Sequence, residues 1–256
     1  MSSAGAITAH IDVAQVVLYM VWVFFAGLIY YLHQEGKREG YPLVHDNGRG
    51  RVLVQGFPAL PEAKVFKLAD GSERRAPPGL GADTRVPNAE ATHPYPGSPI
   101  EPVGNPLLAG VGPGSWAQRP DVPDRAVDGS PRLVPLRRLS DFGVAEQDPD
   151  PRQCPVHGAD RVHGGTVVDL WVDVSEMLFR YLEVEVVGGR RVLLPMNFAR
   201  VGAREVRVAS ILGSQFADVP ATRHPDVVTM LEEEKVMAYY GAGTLYATPQ
   251  RAEPLI

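Results

Sequence analysis

Three carboxylates and an arginine are the residues of this 256-residue chain best placed to do chemistry. Asp169, Asp173 and Glu176 fall within eight positions, and Arg180 follows close behind. Acids at that spacing can raise one another's pKa by like-charge repulsion, and burial raises it further. An acid lifted towards neutral can then take up and release protons near pH 7. Arg180 would moderate the repulsion. Glu232-Glu233-Glu234 is a second acidic run. The plain alternative for both groups is solvated surface charge, and for the glutamates also a favourable position at the positive end of a helix dipole.

Other candidate motifs are weaker. Cys154, His157, Asp160 and His163 have metal-ligating types, but their spacing follows no zinc pattern and the stretch is loop-like, so no metal is expected there. Gly110-Val111-Gly112-Pro113-Gly114 has the glycines of a phosphate loop. Pro113 breaks the spacing and no strand–loop–helix context surrounds it, so a structural turn is expected. No nucleophile–base arrangement stands out, which disfavours an enzyme. A single cysteine cannot form an internal disulfide. A net charge of −5 argues against a nucleic-acid partner.

Mainly β structure must position the acids. In 167–174, Val168, Leu170, Val172 and Val174 alternate with Val167, Asp169, Trp171 and Asp173, so Asp169 and Asp173 share a strand face. Glu176 falls just past the end of that strand. A second alternating run covers 181–187. Gly188-Gly189 then predicts a two-residue hairpin into 191–194, and 205–209 is a further candidate strand. Thr229 and Glu232 match a capping box opening one closing helix, with Gly241 expected just past its end. Such short strands point to a small barrel or sandwich over about 136–248. Residues 33–135 read as extended and irregular, with strand-like pieces at 51–55 and 64–68. Thirteen of the 24 prolines lie between Pro77 and Pro135, which leaves no room for a useful helix. Val103, Leu107, Leu108, Val111 and Trp116 are too apolar for plain disorder, so this chain is expected to lie over partner surfaces.

Residues 13–32 form an apolar run whose one clearly polar side chain is Gln15. Twenty residues span about 30 Å of hydrocarbon, so a transmembrane helix is expected. A buried core helix and a signal peptide are the rejected alternatives. No Lys or Arg precedes Lys37, whereas Lys37, Arg38, Arg49 and Arg51 follow the run. Residues 1–12 are therefore expected outside and the C-terminal body, ending in a tail at 249–256, in the cytoplasm. Tyr31, Lys37 and Arg38 are the expected membrane-interface residues. Gly27, small and within the span, would allow close helix contact.

Six collinear stretches bring these features together: FAGLIYYLHQEGKREGYPL (25–43), GVGPGSW (110–116), VVDLWVDVSE (167–176), RYLEVEV (180–186), VLLPM (192–196) and VTMLEEEKVMAYYGAGTLYA (228–247). In this the chain resembles, over almost its whole length, the H subunit of the photosynthetic reaction centre of purple bacteria. The resemblance implies a PRC-barrel-like cytoplasmic domain beside a single anchor helix, in the inner, intracytoplasmic photosynthetic membrane. It implies a non-catalytic subunit that binds no pigment, packs on the L and M subunits and caps their quinone side. Bacteriochlorophyll, bacteriopheophytin, quinones, non-haem iron and carotenoid would belong to the assembled complex, with lipid, antenna and cytochrome as further neighbours. It also implies a proton path through Asp173, Glu176 and Arg180, with Glu233 nearby. Two positions depart from the family pattern. Asp128-Gly129-Ser130 stands where some members carry a surface histidine pair, and an acidic position before the last helix falls on Val227, leaving Asp226 beside it as the candidate. A membrane-anchored β-barrel that docks another protein is the alternative reading.

Overall fold

The computed structural model describes residues 7, 12–41, 43–46, 51–76, 85–95 and 97–252. Most of the segment 1–12 and the end of the tail 249–256 lie outside them. Two compact units divide the chain, one containing residues up to Arg85 together with Pro94–Gly97, the other Val86–His93 and the chain from Ser98 onwards.

The first unit is dominated by helix α1, Val13–Gly36. Asp12 caps it, its carboxylate accepting from the Gln15 N–H at 2.7 Å. The helix runs four residues past the apolar stretch and is about 36 Å long at 1.5 Å per residue. None of its residues is buried, and it is long and apolar enough to cross a membrane. Two antiparallel hairpins follow. One pairs β1, Leu43–Asp46, with β2, Arg51–Val54, and the other pairs β3, Lys64–Lys67, with β4, Glu73–Ala76. The β4 sequence ERRA has no apolar alternation, so backbone pairing alone defines that strand.

The second unit opens with a hairpin of β5, Ala89–Ala91, and β6, Ile100–Pro102. Its sheet has seven strands: β7 Leu133–Pro135, β8 Pro155–His157, β9 His163–Asp173, β10 Leu178–Val186, β11 Arg191–Pro195, β12 Ala199–Val201 and β13 Val206–Val208. The order is β11-β10-β9-β8-β13-β12, and β7 pairs with the far end of β9 on the edge that β8 shares. Only β8–β13 is parallel. The sheet makes half of a small barrel, and Leu170, Leu182, Leu194 and Phe216 are among its buried core residues. Between β10 and β11 the expected hairpin forms with a longer loop. The Val186 N–H donates to Arg190 O, so three residues intervene, with Gly188 and Gly189 in the left-handed region.

Helix α2, Met230–Tyr246, closes the unit with the expected capping box. The Thr229 hydroxyl accepts from the Glu232 N–H at 3.2 Å, and the Glu232 carboxylate accepts from the Thr229 N–H at 2.9 Å. Gly241 was expected beyond the helix end, but it lies inside α2. The 3-10 turn Gly112–Gly114 packs on the helix there, and a Cβ on Gly241 would stand 2.6 Å from Pro113 O. The glycine serves close approach, and the GVGPG stretch is the turn that approaches. Gly241→Ala should therefore destabilise the protein by about 1–2 kcal/mol. Overpacking against backbone costs about 1–3 kcal/mol, and roughly 1 kcal/mol of helix propensity offsets part of it. An unchanged or higher thermal midpoint of the solubilised chain would show that the turn moves away at no cost.

Leu107 and Val111, expected to face a partner, are buried in this unit, and Leu107 joins its core. Val103 and Leu108 remain half-exposed.

Candidate functional site

Asp173 ends β9 and is fully buried. Its Oδ1 accepts the N–H groups of Ser175 and Glu176, both at 3.0 Å, which is how an aspartate at a strand end initiates a turn. β7 pairs Leu133 with Asp173, and this brings Arg132 alongside. Arg132 Nε donates to both carboxylate oxygens, at 3.0 and 2.9 Å. Its remaining nitrogens reach Glu176 and, at 3.5 Å, Asp124. From the other side Arg180 Nη1 donates to Asp173 Oδ2 at 3.2 Å. Burial alone would raise the Asp173 pKa, but the Arg132 contacts and the two N–H donors outweigh it and hold the carboxyl below its usual value. The expected lifting of this acid by repulsion from its neighbours does not occur, because arginines separate the carboxylates.

Arg180 also links onward, its Nη2 lying 3.6 Å from Glu233 Oε2. The Tyr181 hydroxyl donates to the same oxygen at 2.7 Å. Adjacent strand residues normally point to opposite faces. The β9–β10 register slips between Phe179 and Tyr181, and this bulge leaves Arg180 as the extra residue, so both side chains reach one acid. Glu233 is 7% exposed. Burial pushes its pKa up, and the Tyr181 hydroxyl and Arg180 charge pull it back only in part. The three consecutive glutamates of α2 thus separate, as about 100° of rotation per residue requires. Glu232 caps the helix, Glu233 turns inward, and Glu234 lies 3.8 Å from Arg119.

Arg180, Tyr181 and Glu233 line a cleft of about 540 Å³ with Arg119, Met196 and Met237. At about 30 Å³ per molecule it has room for many waters. Glu176 sits at the other end of the network with its side chain 54% exposed. The connected groups therefore run from a water-facing acid, past a buried anion held by two arginines, to a buried acid with a raised pKa.

Asp226 is not part of this network. It accepts from Arg137 at 2.7 Å, and Arg137 also binds Asp169 at 2.8 Å and Glu183 at 2.5 Å. Arg191 and the Trp171 indole complete the second cluster through Glu183. Asp169 and Asp173 thus share a strand but serve different arginines. Asp128 caps its own turn, accepting from the Ser130 N–H and hydroxyl. His157 lies 3.1 Å from Glu205 and Asp160 accepts the Gly213 N–H, and among the described residues no group of three His, Cys, Asp or Glu gathers to hold a metal. Arg132, Tyr181, Arg137 and Glu183 are participants that sequence reasoning missed. Arg132 is 41 residues from Asp173, and no local pattern marks that pairing.

The membrane-interface residues also divide. Tyr31 is exposed on α1. Arg38 forms a two-pronged pair with Glu35 at 3.0 Å. Lys37, expected to face headgroups, is 3% exposed, because its ammonium turns into the chain and donates to Gln55 O at 2.8 Å and Pro58 O at 2.6 Å.

The sheet defines the class: residues 144–215, which carry β8 to β13, match the PRC-barrel domain. Residues 5–138 match the photosynthetic reaction centre H-chain N-terminal region, more than half of the chain. The chain belongs to the photosynthetic reaction centre H-chain family, an accessory subunit of the reaction centre, anchored in a membrane by an apolar N-terminal helix.

Proposed function

We propose that this chain caps the quinone-reducing side of a reaction centre formed with L and M subunits, and that its acid–arginine network delivers protons there. In this reading residues 1–12 are periplasmic and the barrel is cytoplasmic, in the photosynthetic inner membrane. Pigments, quinones and iron are held by the partners. The observation that carries the reading is the connected series Glu176, Arg132, Asp173, Arg180, Glu233 and Tyr181, with acids of opposite exposure at its ends.

Quinone reduction to quinol consumes two protons. Glu176 is exposed enough to take them from water, and burial raises the pKa of Glu233 above the usual carboxylate value, so that it holds a proton more readily than a free acid. Asp173 stays ionised. Its role is to fix Arg132 and Arg180 and to keep a negative charge beside the path. Asp226, fixed by Arg137, has a structural role in this scheme.

Affinity purification of this chain from detergent-solubilised native membranes tests the assembly. Bacteriochlorophyll absorbance should co-purify with it, and a colourless preparation would overturn the proposal. Among the described residues nothing lies within 4 Å of where a Cβ on Gly27 would stand, which leaves room there for a partner helix. Gly27→Leu should reduce retention of the pigmented subunits, because small residues allow close helix approach in membranes. Unchanged retention would place Gly27 against lipid.

A further inference from the structure

We infer that residues 55–58 form a second membrane contact, which lays Phe57 into the boundary between lipid headgroups and hydrocarbon beside α1. This rests on α1 crossing the membrane.

Phe57 is 82% exposed, and its ring lies 6.1 Å from that of Tyr30. Tyr30 belongs to the apolar run, two residues before its end. Helical side chains lean towards the helix N-terminus, so the Tyr30 ring lies over the preceding turn, further into the span than its own backbone. A ring packed against it from outside the helix is held at that depth. The loop cannot swing away freely, because Lys37, the residue after α1, grips the carbonyls of Gln55 and Pro58 on either side of Phe57. The Lys37 ammonium also lies 5.1 Å from the centre of the Tyr41 ring. Gly56, in the left-handed region, makes the tight turn that offers both carbonyls to one cation. These bonds matter at this level, where little water is available to satisfy a loop's carbonyls or a lysine's charge. At the helix end Glu35 pairs with Arg38 and with Lys64 at 2.5 Å, one to two turns beyond Tyr30.

The occupant is lipid and not a protein groove. Phe57 packs beside the end of the apolar run, at Tyr30 and Tyr31, the amphipathic aromatics that favour the bilayer boundary. An aromatic wedge beside a tyrosine belt extends that boundary sideways from one helix to a loop.

Nitroxide labels placed by cysteine substitution in a Cys154→Ser background of the full-length chain, in native membranes, test this. Positions are Phe57→Cys, Tyr31→Cys, Val23→Cys in mid-span and Glu146→Cys on the exposed barrel surface. Accessibility to oxygen relative to a water-soluble nickel chelate is read at each. At position 57 the ratio should match that at 31, fall below that at 23 and exceed that at 146 several-fold. Adding Lys37→Ala should move 57 towards the value at 146 and leave 31 unchanged. A water-like ratio at 57 overturns the inference, and so does protection from both reagents, which would mean that protein covers the residue. An unmoved label on Lys37→Ala overturns the clamp. A water-like ratio at 23 would overturn the span itself, a failure distinct from failure of the loop.

Discussion

Glu176→Gln in the assembled complex should slow the proton-coupled second electron transfer to quinone by about tenfold or more, the low end of typical acid–base contributions. Glutamine keeps the size and can still accept from Arg132, but it cannot exchange a proton. Glu176 is the water-facing end of the network, so its loss removes the carrier and leaves intact the anion that organises the path. The first electron transfer should change much less, because it needs no stoichiometric proton. Flash-induced turnover followed against pH separates the two steps. Equal second-transfer rates in variant and parent from mildly acidic to alkaline pH would make Glu176 plain surface charge.

Asp173→Asn should have the largest effect on stability. The carboxylate has no solvent exposure and accepts from two arginines and two backbone N–H groups. The amide retains an acceptor for the N–H donors but leaves two guanidinium groups without their anion. Breaking a buried pair costs about 3–5 kcal/mol, and the partial exposure of both arginines lowers this to about 2–4 kcal/mol. At about 2–4 °C per kcal/mol the thermal midpoint should fall by roughly 5–15 °C. The pH dependence has a definite sign. The folded pKa of Asp173 lies below its unfolded value of 3.8. Its contribution is therefore fully present above pH 3.8 and is lost as pH falls through the lower folded value. The gap between parent and variant should be constant near neutral pH and close only in strong acid. A variant as stable as the parent at pH 7 would show that Arg132 and Arg180 find other partners.

The elements were more legible than the contacts. Strand β9 and the capping box of α2 follow from local rules, alternation in one case and two side chains three residues apart in the other. The hairpin after β10 was announced by Gly188-Gly189, although its loop is one residue longer than a tight turn. The three-residue strands β5, β6, β7, β8 and β12 were missed, since a run that short carries no period. Gly241 was misplaced for a related reason. Glycine at a helix end and glycine under a crossing loop look alike in sequence, and only the position of Pro113 O distinguishes them.

What the sequence determined alone is what local composition and spacing can encode: an apolar run long enough to span a bilayer, strands with one apolar face, a capped helix, and carboxylates in number near one strand. The tertiary structure decided which charge meets which. β7 brought Arg132 to Asp173 across 41 residues, a bulge turned Arg180 and Tyr181 onto Glu233, and Arg137 drew Asp169 and Asp226 into a separate cluster. Burial and ion pairing are properties of that assembled neighbourhood, and they set the pKa of each acid in opposite directions. Asp173 is held as an anion and Glu233 is pushed towards its neutral form, a distinction that no spacing of acids along the chain contains.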